Sequence, residues 1–115
     1  MNSLLELREA LRGFCAEREW DQFHSPKNLA IALSVEASEL LEHFQWLTDD
    51  GSNALRAETL EAVSQEMADV LLYLVRLADK LDVTLLDVAE AKLKQNAIKY
   101  PVEKSRGSSR KYTEL

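Results

Sequence analysis

The sequence predicts an all-α fold, and three observations carry that expectation. Only three Gly and two Pro interrupt 115 residues, clusters of β-branched residues are absent, and apolar residues recur at three- and four-residue spacing along most of the chain. At 13.1 kDa the chain is long enough to enclose one core but not two. The expected architecture is a four-helix subunit with more apolar surface than it can bury alone, so helical-bundle dimers or tetramers are expected as well.

Each helix has its own start and stop signals. Ser3-Leu-Leu-Glu6 reads as a capping box opening a helix over residues 3–19, with Leu4, Leu7, Leu11, Phe14 and Cys15 on its apolar positions. Trp20-Asp-Gln-Phe-His24 is an aromatic link. Ser25-Pro26 then supplies an N-cap and a first-turn proline for a second helix over 26–46. The polar stretch Thr48–Asn53, broken by Gly51, reads as a loop. A third helix runs over 55–81 and is apolar nearly all round from Met67 to Ala78, so it is expected to be covered on more than one side. Thr84-Leu-Leu-Asp87 reads as a second capping box, opening a fourth helix that Tyr100-Pro101 stops near Lys99. Residues 1–101 are thus read as the folded domain. Residues 102–115, rich in Lys, Arg, Ser and Gly, are read as a mobile polar tail.

Charge narrows the function. With 14 basic and 20 acidic side chains the net charge is −6, which disfavours a nucleic acid polymer as partner but not a small anion held by local lysines and a metal. Cys15 is the single cysteine, as expected for a reducing compartment. No apolar run reaches the roughly 18 residues a membrane span requires. The first residues lack the layout of a secretory leader, so a cytoplasmic location is expected.

The informative feature is a pair of acidic pairs, Glu36-x-x-Glu39 and Glu66-x-x-Asp69. Residues three apart share a helix face. The faces in question are those of the apolar stripes Leu29, Leu33, Glu36, Leu40, His43 and Val63, Glu66, Val70, Tyr73, Leu77. Acids on that side are costly unless paired, and four of them brought together repel one another. A hard divalent cation removes the conflict, and Mg²⁺ is the expected ion where a substrate phosphate completes its shell. The plainer reading, solvated surface charge, conflicts with the phase of the acids. A di-iron bundle requires Glu-x-x-His on two helices; Leu40 stands three residues before His43, and the third helix contains no His.

Trp20, Phe23, Trp46 and Tyr73 are either core or stacking partners for a flat base. Two of them lie in the link, one at a helix end and one a turn beyond Asp69, which favours stacking. His24 is either a hydrogen-bond bridge or a ligand contact. Lys92, Asn96 and Lys99 share one face of the fourth helix, where they are either solvated or placed to offset phosphate charge. Cys15 and His43 read as a packed thiol and a local hydrogen-bonding group.

Taken together these residues resemble the all-α nucleoside triphosphate pyrophosphohydrolases, the MazG-like family, whose pattern is Glu-x-x-Glu, a spacer and Glu-x-x-Asp. The chain looks most like the dCTP pyrophosphatase branch. That likeness runs through Glu17-Arg-Glu-Trp20-Asp-Gln-Phe-His24-x-Pro26-x-Asn28-Leu29, Phe44-Gln-Trp46, Asp69-Val-Leu-x-Tyr73-Leu-Val, Lys92-x-x-x-Asn96-x-x-x-Tyr100-Pro101-Val102, Ser105-Arg-Gly-Ser108 and Lys111-Tyr-Thr113. The resemblance implies an oligomer, Mg²⁺ on Glu36, Glu39, Glu66 and Asp69, and cleavage between the α and β phosphates of dCTP or related dNTPs, a house-cleaning of the nucleotide pool. It further implies Trp20, His24, Trp46 and Tyr73 around the nucleoside, Lys92 and Asn96 toward the phosphates, and Glu36 or Glu39 acting on water. Leu11 stands where some members of that branch carry a polar pocket residue, so base preference is not implied. The rival from another class is a non-catalytic helical module that oligomerises and senses nucleotides; it would bind a dNTP and release no pyrophosphate.

Overall fold

A computed structural model describes all 115 residues. It is helical throughout, with no strand. The helices are α1 (Leu4–Glu17), α2 (Pro26–Glu42), α3 (Asp49–Ser52), α4 (Ala57–Lys80), α5 (Leu85–Lys99) and α6 (Val102–Ser105), with short 3₁₀ turns at Asp21–Phe23 and Tyr112–Glu114. The chain divides into two compact units, Met1–Val83 and Thr84–Leu115.

In the first unit α4 packs against both α2 and α1. Its core is Cys15 from α1, Leu29 from α2, and Val63, Val75 and Ala78 from α4. Both expected apolar stripes face inward, and Leu29, at 1% exposure, is the most deeply enclosed large side chain. Ser25 caps α2 as its sequence suggests, accepting a bond from the Asn28 amide at 3.1 Å, with Pro26 in the first turn. Ser3 likewise accepts from the Glu6 amide at 3.1 Å. The return half of that capping box is displaced by one residue, because Glu6 Oε2 accepts from the Asn2 amide at 3.2 Å.

Several boundaries differ from expectation. The second helix stops at Glu42, and residues 43–46 continue as tighter turns. Polar Thr48–Asn53 is a one-turn helix, because Thr48 Oγ1 accepts from the Gly51 amide at 3.0 Å. A Cβ on Gly51 would sit only 3.1 Å from that same oxygen, which is why glycine suits a cap this tight. The third helix starts at Ala57, with Arg56 extended before it.

Two chain reversals share a design. The Glu19 and Trp20 amides bond to the Ala16 and Cys15 carbonyls, and the Asp82 and Val83 amides to those of Asp79 and Ala78. These are Schellman closures, with Glu19 (φ 54°) and Asp82 (φ 55°) in the left-handed position that glycine usually fills. The first one turns Trp20 back along α1.

The second unit holds α5, α6 and the final 3₁₀ turn. Thr84 precedes α5 but makes no side-chain cap bond, so the second capping box is not formed. The polar C-terminal segment carries helical turns, and Tyr112 meets the Tyr100 ring edge-on at 5.9 Å with Lys99 Nζ 5.0 Å above its own ring. No helix is long and apolar enough to cross a membrane.

Candidate functional site

Helices α2 and α4 bring Glu36, Glu39 and Glu66 together: one carboxylate oxygen from each lies within 4.8 Å of the others, and all three side chains are half-buried. Within this group Glu36 Oε2 and Glu66 Oε2 are closed off from solvent without a hydrogen-bond partner. A buried carboxylate oxygen with no donor is costly. The close approach of Glu66, with which Glu36 can share a proton, pushes the Glu36 carboxyl up to about 7; burial and the neighbouring Glu39 add to the shift. Three inward acids with two orphaned oxygens fit a hard divalent cation, which takes oxygen ligands and prefers carboxylates.

Asp69 is half-buried but lies outside this triad. One turn beyond Glu66 on α4, it lines a cavity of about 230 Å³ together with Trp20, His24, Tyr73 and an apolar wall of Leu11, Phe14, Cys15 and Leu72. Asp69 therefore ties the carboxylate group to the cavity through a single helix. Trp20 stands edge-on to Phe14 at 5.6 Å and to His24 at 6.3 Å, leaving part of its ring open. Burial, with Lys80 assisting, holds the His24 imidazole below its ordinary pKa.

The cavity does not take in the other expected aromatics. Trp46 is 88% exposed and does not line the cavity. Phe23 is also exposed and outside it. Lys92 and Asn96 lie on α5 in the second unit, where Lys92 Nζ donates to Gln95 at 3.2 Å.

Sequence reasoning missed Arg76. It is charged yet only 5% exposed, and it lines the cavity three residues beyond Tyr73. Its guanidinium is paired with Asp21, donates through Nε to His24 Nδ1 at 3.2 Å and approaches Asp79 at 3.7 Å. Asp79 is in turn clamped by Arg12 at 2.6 and 2.8 Å, and that pairing holds its carboxyl below the usual range. The available signal was a lone Arg inside the apolar run Leu71–Ala78. Phe14 and Cys15, on the apolar positions of α1, also form the cavity wall.

Comparison with known proteins matches residues 31–115 to the MazG-like family. The chain belongs to the MazG-like family. Among curated proteins, this MazG-like chain is 44% identical to "dCTP pyrophosphatase 1" of Rattus norvegicus, an alignment covering 98% of the chain and 68% of the relative. The Homo sapiens protein of the same name is also 44% identical, with the same coverage. A solved pyrophosphatase from Archaeoglobus fulgidus superposes with a TM-score of 0.75 at 40% identity, covering 84% of this chain and 90% of that one.

Proposed function

We propose that this MazG-like chain is a Mg²⁺-dependent nucleoside triphosphate pyrophosphohydrolase. It would act on dCTP or a related dNTP and release the monophosphate and pyrophosphate. The observation carrying this reading is the inward group of Glu36, Glu39 and Glu66 with two unpartnered oxygens, joined through Asp69 to an aromatic cavity. The names of its relatives support the reaction class.

Glu36, Glu39, Glu66 and Asp69 would hold the ion. Mg²⁺ bound there supplies charge neutralisation along the triphosphate and Lewis acidity at the phosphoryl group. Glu36 or Glu39 orients the attacking water and takes its proton as that water adds to phosphorus and the P–O bond between the α and β phosphates breaks. Trp20 and Tyr73 flank the base, His24 hydrogen-bonds its edge, and the apolar wall excludes water. Lys92 and Asn96 are proposed, from the family resemblance, to offset phosphate charge.

The cavity is smaller than the roughly 300–1,000 Å³ of a complete ligand pocket. Trp46 stands out in solvent, and Leu60, Met67, Leu71 and Leu74 form an exposed apolar stripe along α4. A second copy of the chain covering such faces accounts for both, and homo-oligomerisation is part of the proposal.

A panel of ribo- and deoxynucleoside triphosphates incubated with Mg²⁺, with products resolved by chromatography, tests the reaction. Monophosphate plus pyrophosphate is expected. Diphosphate plus phosphate contradicts the class, and binding without turnover indicates the sensing module instead.

A further inference from the structure

Arg76 has no place in the hydrolytic scheme, yet it is the most buried charge in the protein, at 5% exposure. Two of its nitrogens donate, Nε to His24 and Nη2 to Asp21, while Nη1 lies 3.7 Å from Asp79, an ion-pair rather than a hydrogen-bond distance. The Arg76 charge is already matched by the carboxylates of Asp21 and Asp79. Its role must lie in what it holds.

What it holds is one nitrogen of an imidazole. Arginine has only donors and is never deprotonated in proteins, so the His24 atom facing it must offer a lone pair. Nδ1 is therefore the acceptor, and in the neutral ring the proton must sit on Nε2. A histidine tautomer follows from its hydrogen-bond network, and with Nδ1 facing a guanidinium donor the network here selects one of the two. The alternative Nδ1–H tautomer would set two N–H groups against each other beside a buried guanidinium. The doubly protonated ring would do the same and would also place a cation against Arg76.

We propose that Arg76 is a positioning residue for base selection: by donating to His24 Nδ1 it fixes the Nε2–H tautomer, making His24 an obligatory hydrogen-bond donor to whatever base enters the cavity. The class of base this admits presents an acceptor, a carbonyl oxygen or unprotonated ring nitrogen, at the edge facing His24. A base presenting an amino group there meets donor against donor and is rejected. Asp21 keeps the fork in register, and its own position follows from the left-handed turn at Glu19 that ends α1. The inference rests on the cavity being a nucleobase site, as proposed above.

The tautomer can be read without turnover. Long-range ¹H–¹⁵N correlation spectra of the ¹⁵N-histidine-labelled protein should show His24 with Nε2 protonated and Nδ1 bare. In Arg76→Lys, which keeps the charge but loses the planar Nε–H donor, the ring should shift to a mixture of tautomers. Kinetically, the wild type should prefer a nucleotide over its analogue with the base carbonyl replaced by hydrogen by about tenfold or more in kcat/KM. Arg76→Lys should lose most of that preference, mainly through KM. Asp21→Asn, which loosens the fork without removing it, should fall between the two, and circular dichroism checks the fold of both variants. A wild-type His24 protonated on Nδ1, or a tautomer and preference unchanged in Arg76→Lys, overturns the proposal. If no triphosphate is hydrolysed, the pyrophosphohydrolase reading fails, while the spectra still decide whether Arg76 fixes the ring.

Discussion

Replacing Glu36 by Gln should make the metal-free protein more stable while destroying its activity. In the folded chain Glu66 and burial hold this carboxyl near 7, against an ordinary value of 4.5. A raised acid pKa means that folding is favoured by the protonated form. The stability tied to this group is fully present below about pH 4.5 and is lost as pH rises through 7. At about 1.4 kcal/mol per unit, the shift corresponds to ~3 kcal/mol. The carboxylate group is partly open to solvent, which screens it, so about 1–2 kcal/mol is the magnitude to expect.

Thermal melts in chelator at pH 5 and pH 8 measure this directly. At pH 8, Glu36→Gln should melt about 3–8 °C above the wild type, given the usual conversion for a domain of this size. At pH 5 the gap should close, because the wild-type carboxyl is then protonated and resembles the amide. Adding Mg²⁺ should reverse the order. An ion at one hundred times its Kd stabilises a binding protein by ~2.7 kcal/mol, and the variant has lost a ligand. A variant that melts below the wild type at pH 8 without metal, or a gap indifferent to pH, would refute the reading of an inward, mutually repelling acid group.

Glu39→Gln and Asp69→Asn should keep wild-type circular dichroism yet lose pyrophosphate release by at least about a hundredfold, as expected for a group acting on the water and a metal ligand. Leu29→Ala should cost about 2–5 kcal/mol in urea denaturation, because the side chain is enclosed and its cavity cannot refill. Glu19→Gly should raise stability by about 0.5–1 kcal/mol, since φ 54° strains a side-chain-bearing residue. Leu71→Glu, placing a charge in the exposed apolar stripe of α4, should shift the mass measured by light scattering toward that of a single chain.

The helical architecture was legible because period and caps agree. Leu29, Leu33 and Leu40 share a phase, Ser25-Pro26 announces α2, and the structure keeps both. The acids on those stripes were legible for the same reason, since phase against the apolar face is a local property. The missing pieces depend on contacts between distant residues. Arg76 meets Asp21 and His24 across more than fifty positions, and no spacing rule reports a partner that far away. The helix over Asp49–Ser52 was hidden because Asp, Gly and Ser read as loop, while one hydroxyl bond from Thr48 suffices to close a single turn. Thr84 failed in the opposite sense: the letters of a capping box were present without the bond.

One helix carries most of the site, and its periodicity explains how. Along α4, Glu66 belongs to the carboxylate group and Asp69 to the cavity; Tyr73 and Arg76 follow at four and seven residues beyond Asp69. Those spacings return to nearly the same face of an α-helix. The acids proposed to hold the ion, the ring proposed to flank the base and the arginine that meets His24 are therefore carried by a single helix. The partners they need, Glu36 and Glu39 on α2 and Trp20, Asp21 and His24 in the link after α1, come from the segments packed against it. A shift of α4 by one residue would turn every one of these groups by about 100°. Core residues Val63, Val75 and Ala78 are buried on this same helix, so their packing sets how Glu66, Asp69, Tyr73 and Arg76 are presented.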